Sequence, residues 1–272
     1  MIEQIVFAGI VPHPPLLVPE VGGARIEQVA DSERALKEFS RRLIATHPET
    51  VVVISPHSPY DVRQFSARST NRLKGDFYEF SAPDVEMTFA NDLALLDALG
   101  RTAEEEGVAL RRITADCPLD HGAMVPLYYL HEAGWRGPVV VVGFTQQSIE
   151  KHLAFGRAIA RATRALNRRT ALVASGDLSH RLIVGGPYEY EPTAYLFDQQ
   201  IVEAIARGDS QAVITLDPEL RYRAGECGYR SIIVAIGSVA EDLRDHEVLS
   251  YEGPFGVGYM VAVLVDVNQS VM

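Results

Sequence analysis

The chain has 272 residues, of which 47% are hydrophobic and 22% charged, as is usual for a globular protein. Its formal net charge of −11 argues against nucleic acid as the main partner, since duplex binding depends on lysine and arginine. Two cysteines do not make a disulfide framework and favour a reducing compartment. No secretion pattern is visible at the N-terminus and no apolar run is long enough for a bilayer, so we expect a cytoplasmic protein without a nucleic-acid or membrane partner.

Two apolar runs near the N-terminus each lead to a histidine in a proline-braced turn. The run 5–11 leads to His13, which has prolines on both sides, and the run 51–54 leads to His57, which follows Pro56. Proline fixes φ and removes a backbone donor, so each histidine is predicted on a stiff turn just past a strand end. A single turn of this kind would indicate only an ordinary loop, whereas its occurrence after two strands favours a metal site.

Strand and helix patterns alternate over the rest of the chain. Helical periodicity covers 26–46, 91–106, 123–132, 148–167, 193–207 and a stretch from 228 to about 240, and strand-like runs cover 109–114, 139–142, 171–174, 247–252 and 258–267. The segment 61–89 consists of short alternating pieces, which indicate an antiparallel excursion. The alternation predicts one α/β domain over 1–272, with a mainly parallel central sheet flanked by helices and a smaller antiparallel excursion.

Polar loops after the predicted strands hold the candidate chemistry. In open α/β sheets ligands bind beyond the carboxyl ends of the strands, and these loops carry His13, His57, His121 and His180. Glu226 stands in a glycine-flanked turn before an apolar helix, whereas most other acids fall on solvated helix faces. Two neutral imidazoles and one carboxylate leave open positions on a divalent metal, which suits non-haem Fe(II) that must hold a substrate and dioxygen.

Several other classes of site lack their sequence patterns. The chain has no Cys-x-x-Cys for a closed zinc site, and no His-Glu-x-x-His, Walker, Gly-x-Gly-x-x-Gly or Gly-x-Ser-x-Gly pattern for peptidase, nucleotide-binding or serine-esterase functions. His180 is favoured as a general acid or base that Asp177 orients, with a simple cap of the next turn as the alternative. His121 fits a catalytic role, a supporting role and an ordinary loop position equally well. Cys227 is interpreted as a packing residue, and surface positions are predicted for His47, His131, His152 and His246.

Five motifs in the same order resemble the class III extradiol ring-cleavage dioxygenases, the family of the LigB-like catalytic chain. They are Val-Pro-His13-Pro-Pro, Ser-Pro-His57, Leu-Asp-His121-Gly, Ser-Gly-Asp-Leu-Ser-His180 and Ala-Gly-Glu226-Cys-Gly. The chain looks most similar to AmmeMemoRadiSam-type members, including the tail from Tyr251 to Met260, and looks related to Memo proteins. The Memo proteins have a cysteine where this chain has Glu226.

This resemblance implies a role for each of the five residues. His13, His57 and Glu226 match the iron ligands, His180 matches the active-site acid or base, and His121 matches a second histidine that lines the oxygen and substrate site. The implied reaction opens a catechol-type ring with O2, both atoms of which enter the product. In this implied reaction, His180 accepts a phenolic proton and returns it during O–O cleavage. Some members of the family also pair with a small accessory subunit that helps to close the pocket.

Three functions are compatible with these residues. The first is an Fe(II)-dependent extradiol dioxygenase that acts on a small aromatic diol. The second is a non-catalytic metal-binding or scaffold protein of Memo type, and the third is a zinc-dependent hydrolase on the same ligands. Histidine and carboxylate accept both iron and zinc, so the residues leave the metal open. A homodimer is the expected oligomer, because it is the commonest one among soluble proteins.

Overall fold

Ten strands form two sheets in the computed structural model, which describes residues 4–240 and 242–269. The strands are β1 (Ile5–Val11), β2 (Thr50–Ser55), β3 (Phe65–Arg68), β4 (Arg72–Phe77), β5 (Ala82–Ala90), β6 (Leu110–Ile113), β7 (Val139–Gly143), β8 (Thr170–Ser175), β9 (Glu247–Glu252) and β10 (Tyr259–Asp266). Eight strands make the main sheet in the order β6-β3-β7-β2-β8-β1-β10-β9, while β4 and β5 form an antiparallel pair of their own.

Helices cover both faces of the main sheet. They are α1 (Pro19–Gly22), α2 (Ala30–Ala45), α3 (Leu93–Glu105), α4 (His121–Glu132), α5 (Ile149–Ala165), α6 (Ala194–Ala206), α7 (Ser210–Ile214), α8 (Pro218–Ala224) and α9 (Tyr229–Ser238). One hydrophobic core lies between the sheet and helices α3, α5, α6 and α9, and a second lies between the sheet, helices α2 and α4, and the β4–β5 hairpin. Along β2, Val52 and Ile54 point into the first core, and Val51 and Val53 into the second. This alternation explains why the strand is a continuous apolar run.

The four central strands β7, β2, β8 and β1 are parallel. On one side β3 is antiparallel to β7 and parallel to the edge strand β6, and on the other side β10 is antiparallel to both β1 and β9. The architecture is a single α/β domain with a mostly parallel central sheet and a small antiparallel sheet, which confirms the predicted fold class. The predicted excursion over 61–89 divides in two: β3 joins the main sheet, and β4 with β5 forms the hairpin.

The carboxyl ends of the central parallel strands meet at one edge of the sheet. Val11 pairs with Ser175, and Ser55 pairs with Gly143. The loops that follow β1, β2 and β8 are therefore neighbours in space, although the first and last of them are more than 160 residues apart in the chain.

His152 on α5 lies in the core, with none of its surface exposed, so its predicted surface position is wrong. Its Nδ1 lies 2.8 Å from the carbonyl oxygen of Ser148 and its Nε2 lies 3.1 Å from that of Thr145. These backbone partners satisfy an imidazole that packs against Phe65 and Phe144. No helix in the described ranges combines the length and apolar character that a membrane crossing requires.

Candidate functional site

Three histidines from three different loops form a cluster at the carboxyl edge of the sheet. The ring centroids of His13 and His57 are 4.9 Å apart, those of His13 and His121 are 5.4 Å apart, and those of His57 and His121 are 4.2 Å apart. One ligand atom from each residue lies within 4.8 Å of the others, and Nε2 of His13 is 3.1 Å from Nε2 of His57. His13 is buried and His57 is exposed, so the cluster opens to solvent on the His57 side.

The hydrogen bonds of Ser175 fix which nitrogen of His13 carries the proton. The Ser175 hydroxyl lies 2.5 Å from the carbonyl oxygen of Gly122, to which it can only donate. Its oxygen therefore accepts a hydrogen bond from Nδ1 of His13, which is 2.9 Å away. The proton of a neutral His13 is thus on Nδ1, and the lone pair of Nε2 points into the cluster, as a metal ligand requires.

The cluster is electrically neutral near pH 7. Burial lowers the pKa of His13 well below 6.5, and its three histidine neighbours lower it further. Burial also lowers the pKa of His57, and burial together with His57 lowers the pKa of His121 to about 4. Metals bind the neutral form of imidazole, so the site does not have to lose protons from its histidines before it takes up an ion.

Asp120 ties the loop of His57 to the helix that begins at His121. Its carboxylate accepts hydrogen bonds from the hydroxyls of Ser55 and Ser58, the second at 3.1 Å, and from the backbone N–H of Ala123 at 3.1 Å. The bond to Ala123 makes Asp120 the N-cap of α4. One side chain therefore holds the second and third histidines in register. Asp120 directly precedes the first residue of α4, and an aspartate at that position is the sequence pattern of a helix N-cap.

Asp177 and Cys227 add two further donors next to His13. The thiol of Cys227 lies 3.7 Å from Nε2 of His13, and Oδ2 of Asp177 lies 4.0 Å from the same nitrogen. The other carboxylate oxygen of Asp177 accepts the backbone N–H of His13 at 2.9 Å. Burial raises the pKa of Asp177 to about 7. The sequence led us to expect that Asp177 orients His180, whereas the structure places its carboxylate against His13.

The loops that carry Asp177 and Cys227 cross at two glycines. A Cβ atom on Gly176 would lie 2.1 Å from the Cα of Gly228, which is far inside van der Waals contact. The backbone N–H of Gly228 donates to the carbonyl oxygen of Asp177 at 2.9 Å. This crossing brings Cys227 to His13, and it depends on the absence of side chains at both positions.

Glu226, the predicted carboxylate ligand, is bonded to residues other than the histidines. Its Oε2 accepts the backbone N–H of Tyr229 at 2.7 Å, and its Oε1 lies 3.5 Å from Nε of Arg221. Within the described ranges, neither candidate donor group includes Glu226. The structure thus brings His13, His57 and His121 together and leaves Glu226 at the start of α9, while its role as a ligand stays a prediction.

His180 lies beside the cluster with a free imidazole edge. Its ring stacks on Tyr188 with centroids 4.8 Å apart. Burial lowers its pKa to about 4, and the nearby His57 contributes to the shift. Its ring nitrogens make no hydrogen bond to another residue in the described part of the chain, so they are available to a ligand. The structure therefore supplies a neutral base next to the three histidines.

The loop of His180 is held from the C-terminal side of the chain. Leu178 and Ser179 exchange backbone hydrogen bonds with Gly258, each 2.8 Å long. Asp198 on α6 accepts the N–H of Ser179 at 2.7 Å and the hydroxyl of Tyr251 at 2.7 Å. The tail motif from Tyr251 to Met260 therefore supports the loop that carries His180. Sequence reasoning missed Asp198, because nothing local distinguishes it from other acids on amphipathic helices.

The donors in the cluster suit a transition metal. Imidazole nitrogens, a thiol and one carboxylate are ligands for iron, zinc or copper, whereas magnesium and calcium prefer sites made of oxygen atoms. The lone pair that His13 directs inward and the neutral state of the histidines fit the same group of ions. The residues present therefore fit a bound divalent transition metal.

Comparisons with known proteins give a consistent family match. The family model described as "Catalytic LigB subunit of aromatic ring-opening dioxygenase" matches residues 8–262. Protein CA_C1420 of Clostridium acetobutylicum is 31% identical over 263 residues, which cover 94% of this chain and 56% of that protein. Two proteins named 2,3-dihydroxyphenylpropionate/2,3-dihydroxicinnamic acid 1,2-dioxygenase also match. The one from Paraburkholderia phymatum is 32% identical over an alignment that covers 57% of this chain and 50% of that protein. The one from Burkholderia vietnamiensis is 27% identical over an alignment that covers 78% of this chain and 82% of that protein.

This chain spans about half the length of the first two of these relatives. Among solved structures, the uncharacterized protein JW3007 from Escherichia coli K12 aligns with a TM-score of 0.61 at 15% identity and covers 96% of this chain and 99% of its own. That likeness shows a common fold.

Proposed function

Because the chain belongs to the family of the catalytic LigB subunit of aromatic ring-opening dioxygenases, we propose that it is a non-haem Fe(II)-dependent extradiol dioxygenase that opens a catechol-type ring with O2. The observation that carries the proposal is the neutral cluster of His13, His57 and His121 with His180 beside it. The names of two relatives specify 2,3-dihydroxyphenyl acids, and a small aromatic diol is the substrate class that follows for this chain.

His13 would hold the metal where two donor groups meet, one made with His57 and His121 and the other with Asp177 and Cys227. The Cys227 thiol lies 3.7 Å from Nε2 of His13, whereas Glu226 would first have to leave its partners Tyr229 and Arg221. Asp177 holds the backbone of His13 in place and keeps its carboxylate near the same nitrogen. A bound iron would supply a single centre at which the two diol oxygens and dioxygen are brought together.

His180 would move the proton that the reaction requires. It is neutral near pH 7 because burial lowers its pKa to about 4. No residue of the described ranges forms a hydrogen bond with its ring nitrogens. It can therefore accept the proton of a diol hydroxyl and later return it to an oxygen of the opening ring. His121 has a pKa of about 4 and also stays neutral, so its ring can line the substrate side of the cluster without adding charge.

The test is anaerobic reconstitution with Fe(II), followed by oxygen uptake with a panel of catechols. We expect uptake only with metal and diol together, and both atoms of labelled O2 in a ring-opened product. His180→Gln should bind catechol with little change and lose most of the turnover, while His131→Gln, on the partly exposed end of α4, should behave as the wild type. Absence of both uptake and metal-dependent catechol binding would reject the proposal.

The thiol beside His13 favours a second candidate, a metal-binding protein of Memo type that has no oxygenase activity. The thiol of Cys227 lies next to His13, where the ligand set of an oxygenase would have a carboxylate. This candidate predicts stoichiometric metal binding with His13 and Cys227, together with no oxygen uptake on any catechol. The same titration and uptake measurements therefore separate the two functions.

A further inference from the structure

The tip of the β4–β5 hairpin places an aromatic ring against the histidine cluster. The ring centroid of Phe80 lies 5.5 Å from that of His121, and the two ring planes are inclined by 71°, as in an edge-to-face contact. His121 belongs to the donor group that also contains His13 and His57. Phe80 therefore borders the space in which a ligand of a bound metal has to lie.

The ring is next to the part of the cluster that solvent reaches. His13 is buried, His121 is partly exposed, and His57, whose ring centroid is 4.2 Å from that of His121, is exposed. Phe80 is itself only partly buried, and it packs on the second hydrophobic core beside Phe77. Apolar surface of the Phe80 ring thus remains uncovered beside the open side of the cluster, where an apolar ligand can cover it.

Backbone contacts hold the hairpin tip in one conformation. Residues Tyr78–Phe80 form a single turn of 3-10 helix, and the N–H of Ser81 closes it by donating to the carbonyl oxygen of Tyr78 at 3.0 Å. The carboxylate of Asp76 accepts the N–H of Tyr78 at 2.9 Å. These bonds are made within the hairpin itself, so the Phe80 ring is in place before any ligand binds, and binding does not have to order it.

The hairpin and His121 share one support. The N–H of Leu119, two residues before His121, donates to the carbonyl oxygen of Lys74 on β4 at 2.8 Å. Gly75 lies so close to α4 that a Cβ atom there would be 2.6 Å from Sδ of Met124. Both contacts attach β4 to the segment that carries His121, so the aromatic ring and the imidazole keep their relative position.

We propose that Phe80 contacts the ring of the bound diol and determines that the site prefers aromatic ligands to aliphatic ligands with the same pair of oxygen atoms. The inference deepens the proposed dioxygenase function and rests on it. Aromatic pairs are favourable beyond the area that they bury, in edge-to-face as in offset-stacked arrangements. A diol with an aromatic ring gains this contact with Phe80, whereas an aliphatic chelator does not.

Binding of two hydroxamates to the Zn(II)-loaded protein tests the inference without turnover. Benzohydroxamate and acetohydroxamate chelate a metal through the same two oxygen atoms, and only the first has a ring. In calorimetric titrations we expect the wild type to prefer benzohydroxamate. Phe80→Leu should reduce the affinity for benzohydroxamate about three- to tenfold and leave that for acetohydroxamate unchanged, because leucine is apolar but makes no aromatic pair.

Two further variants serve as controls. Tyr78→Leu removes another aromatic ring from the same hairpin tip, where the Tyr78 side chain is 72% exposed, and should keep the wild-type ratio of the two affinities. Phe80→Tyr keeps the ring and should keep the preference for benzohydroxamate. Equal loss of the preference in Phe80→Leu and Tyr78→Leu would contradict a specific contact with Phe80.

Zinc content and oxygen uptake separate the remaining interpretations. If Phe80 only held His121 in place, Phe80→Leu would weaken zinc binding and both hydroxamate affinities together, which would overturn the inference. An unchanged ratio of the two affinities in Phe80→Leu would also overturn it, and oxygen uptake on catechols would then leave the dioxygenase function standing alone. A ring preference that depends on Phe80, without oxygen uptake on any catechol, would support the aromatic contact and reject the dioxygenase reaction.

Discussion

The Sγ atom of Cys227 lies 3.7 Å from Nε2 of His13, the same nitrogen that lies 3.1 Å from Nε2 of His57. Because Ser175 holds the proton of His13 on Nδ1, the lone pair of that Nε2 is directed at the thiol and at the second histidine. A soft sulfur donor and two imidazoles make a ligand set for zinc, cobalt, copper or iron. The loop crossing at Gly176 and Gly228 maintains this arrangement.

Replacement of the thiol should therefore affect metal binding more than replacement of the neighbouring acid. We expect Cys227→Ser to weaken Co(II) binding by about tenfold or more and to abolish the sulfur-to-metal absorption band. Glu226→Gln should keep the band and most of the affinity, because its carboxylate bonds to Tyr229 rather than to the cluster. Titration of each variant with Co(II), followed by absorption, measures both. The opposite ranking of the two variants would support the predicted ligand Glu226 over Cys227.

Gly176→Ala should damage the site and the fold together. The added Cβ would meet the Cα of Gly228 at 2.1 Å, so one of the two loops has to move. We expect a loss of about 2 kcal/mol or more in the free energy of unfolding, with weaker metal binding, because a backbone displacement costs more than a side-chain rearrangement. Chemical denaturation and metal titration are the measurements.

Gly100→Ala is the matched control for this substitution. Gly100 lies inside α3, and its Cβ would meet only the end of the Arg112 side chain at 3.3 Å. Alanine is the better helix former by about 1 kcal/mol, so this variant should be as stable as the wild type or more stable. Equal effects of the two substitutions would contradict the role of the loop crossing.

The sheet and the first two histidines could be predicted from local patterns. The apolar runs of β1 and β2 identify buried strands, and the prolines beside His13 and His57 place both histidines just past the strand ends. Parallel strands then bring the two loops together without any further information. Helix α4 likewise follows from the cap at Asp120.

The orientation of the Glu226 and Cys227 side chains depends on contacts that local sequence does not contain. Glu226 and Cys227 are neighbours in one loop, and the close approach of Gly228 to Gly176, some 50 residues away, is what brings Cys227 to His13. For the same reason Asp177 contacts His13 rather than His180. The burial of His152 could not be predicted either, since the carbonyl groups that satisfy it belong to the turn before α5 and to its N-terminus.

Ser175→Ala should weaken metal binding although Ser175 is not a ligand. Without the hydroxyl, Nδ1 of His13 loses the acceptor that keeps its proton, and Nε2 is no longer fixed as the lone-pair nitrogen. Supporting groups of this kind typically contribute about 10–100-fold to metal affinity. Competition with a chelator of known affinity measures the change. Ser238→Ala removes another buried hydroxyl, on α9, and should leave the affinity unchanged. Equal affinities for both variants would argue against the fixed tautomer.

The stability of the metal-free protein should fall in mild acid, and His152 should account for part of the loss. Burial lowers the pKa of His152 from 6.5 to about 4, so between these values the unfolded chain binds a proton that the folded chain does not. The free energy of unfolding therefore rises with pH across this window. The contribution of His152 is fully present above pH 6.5 and is lost as the pH falls towards 4.

This single group contributes about 1.4 kcal/mol per pH unit at most. Urea unfolding at a series of pH values, with and without His152→Gln, measures the contribution. The variant should show a shallower dependence on pH than the wild type, because glutamine has no proton to gain. His131→Gln, on a side chain that is 36% exposed, should keep the wild-type slope. Parallel slopes for His152→Gln and the wild type would show that His152 is not held neutral in the core.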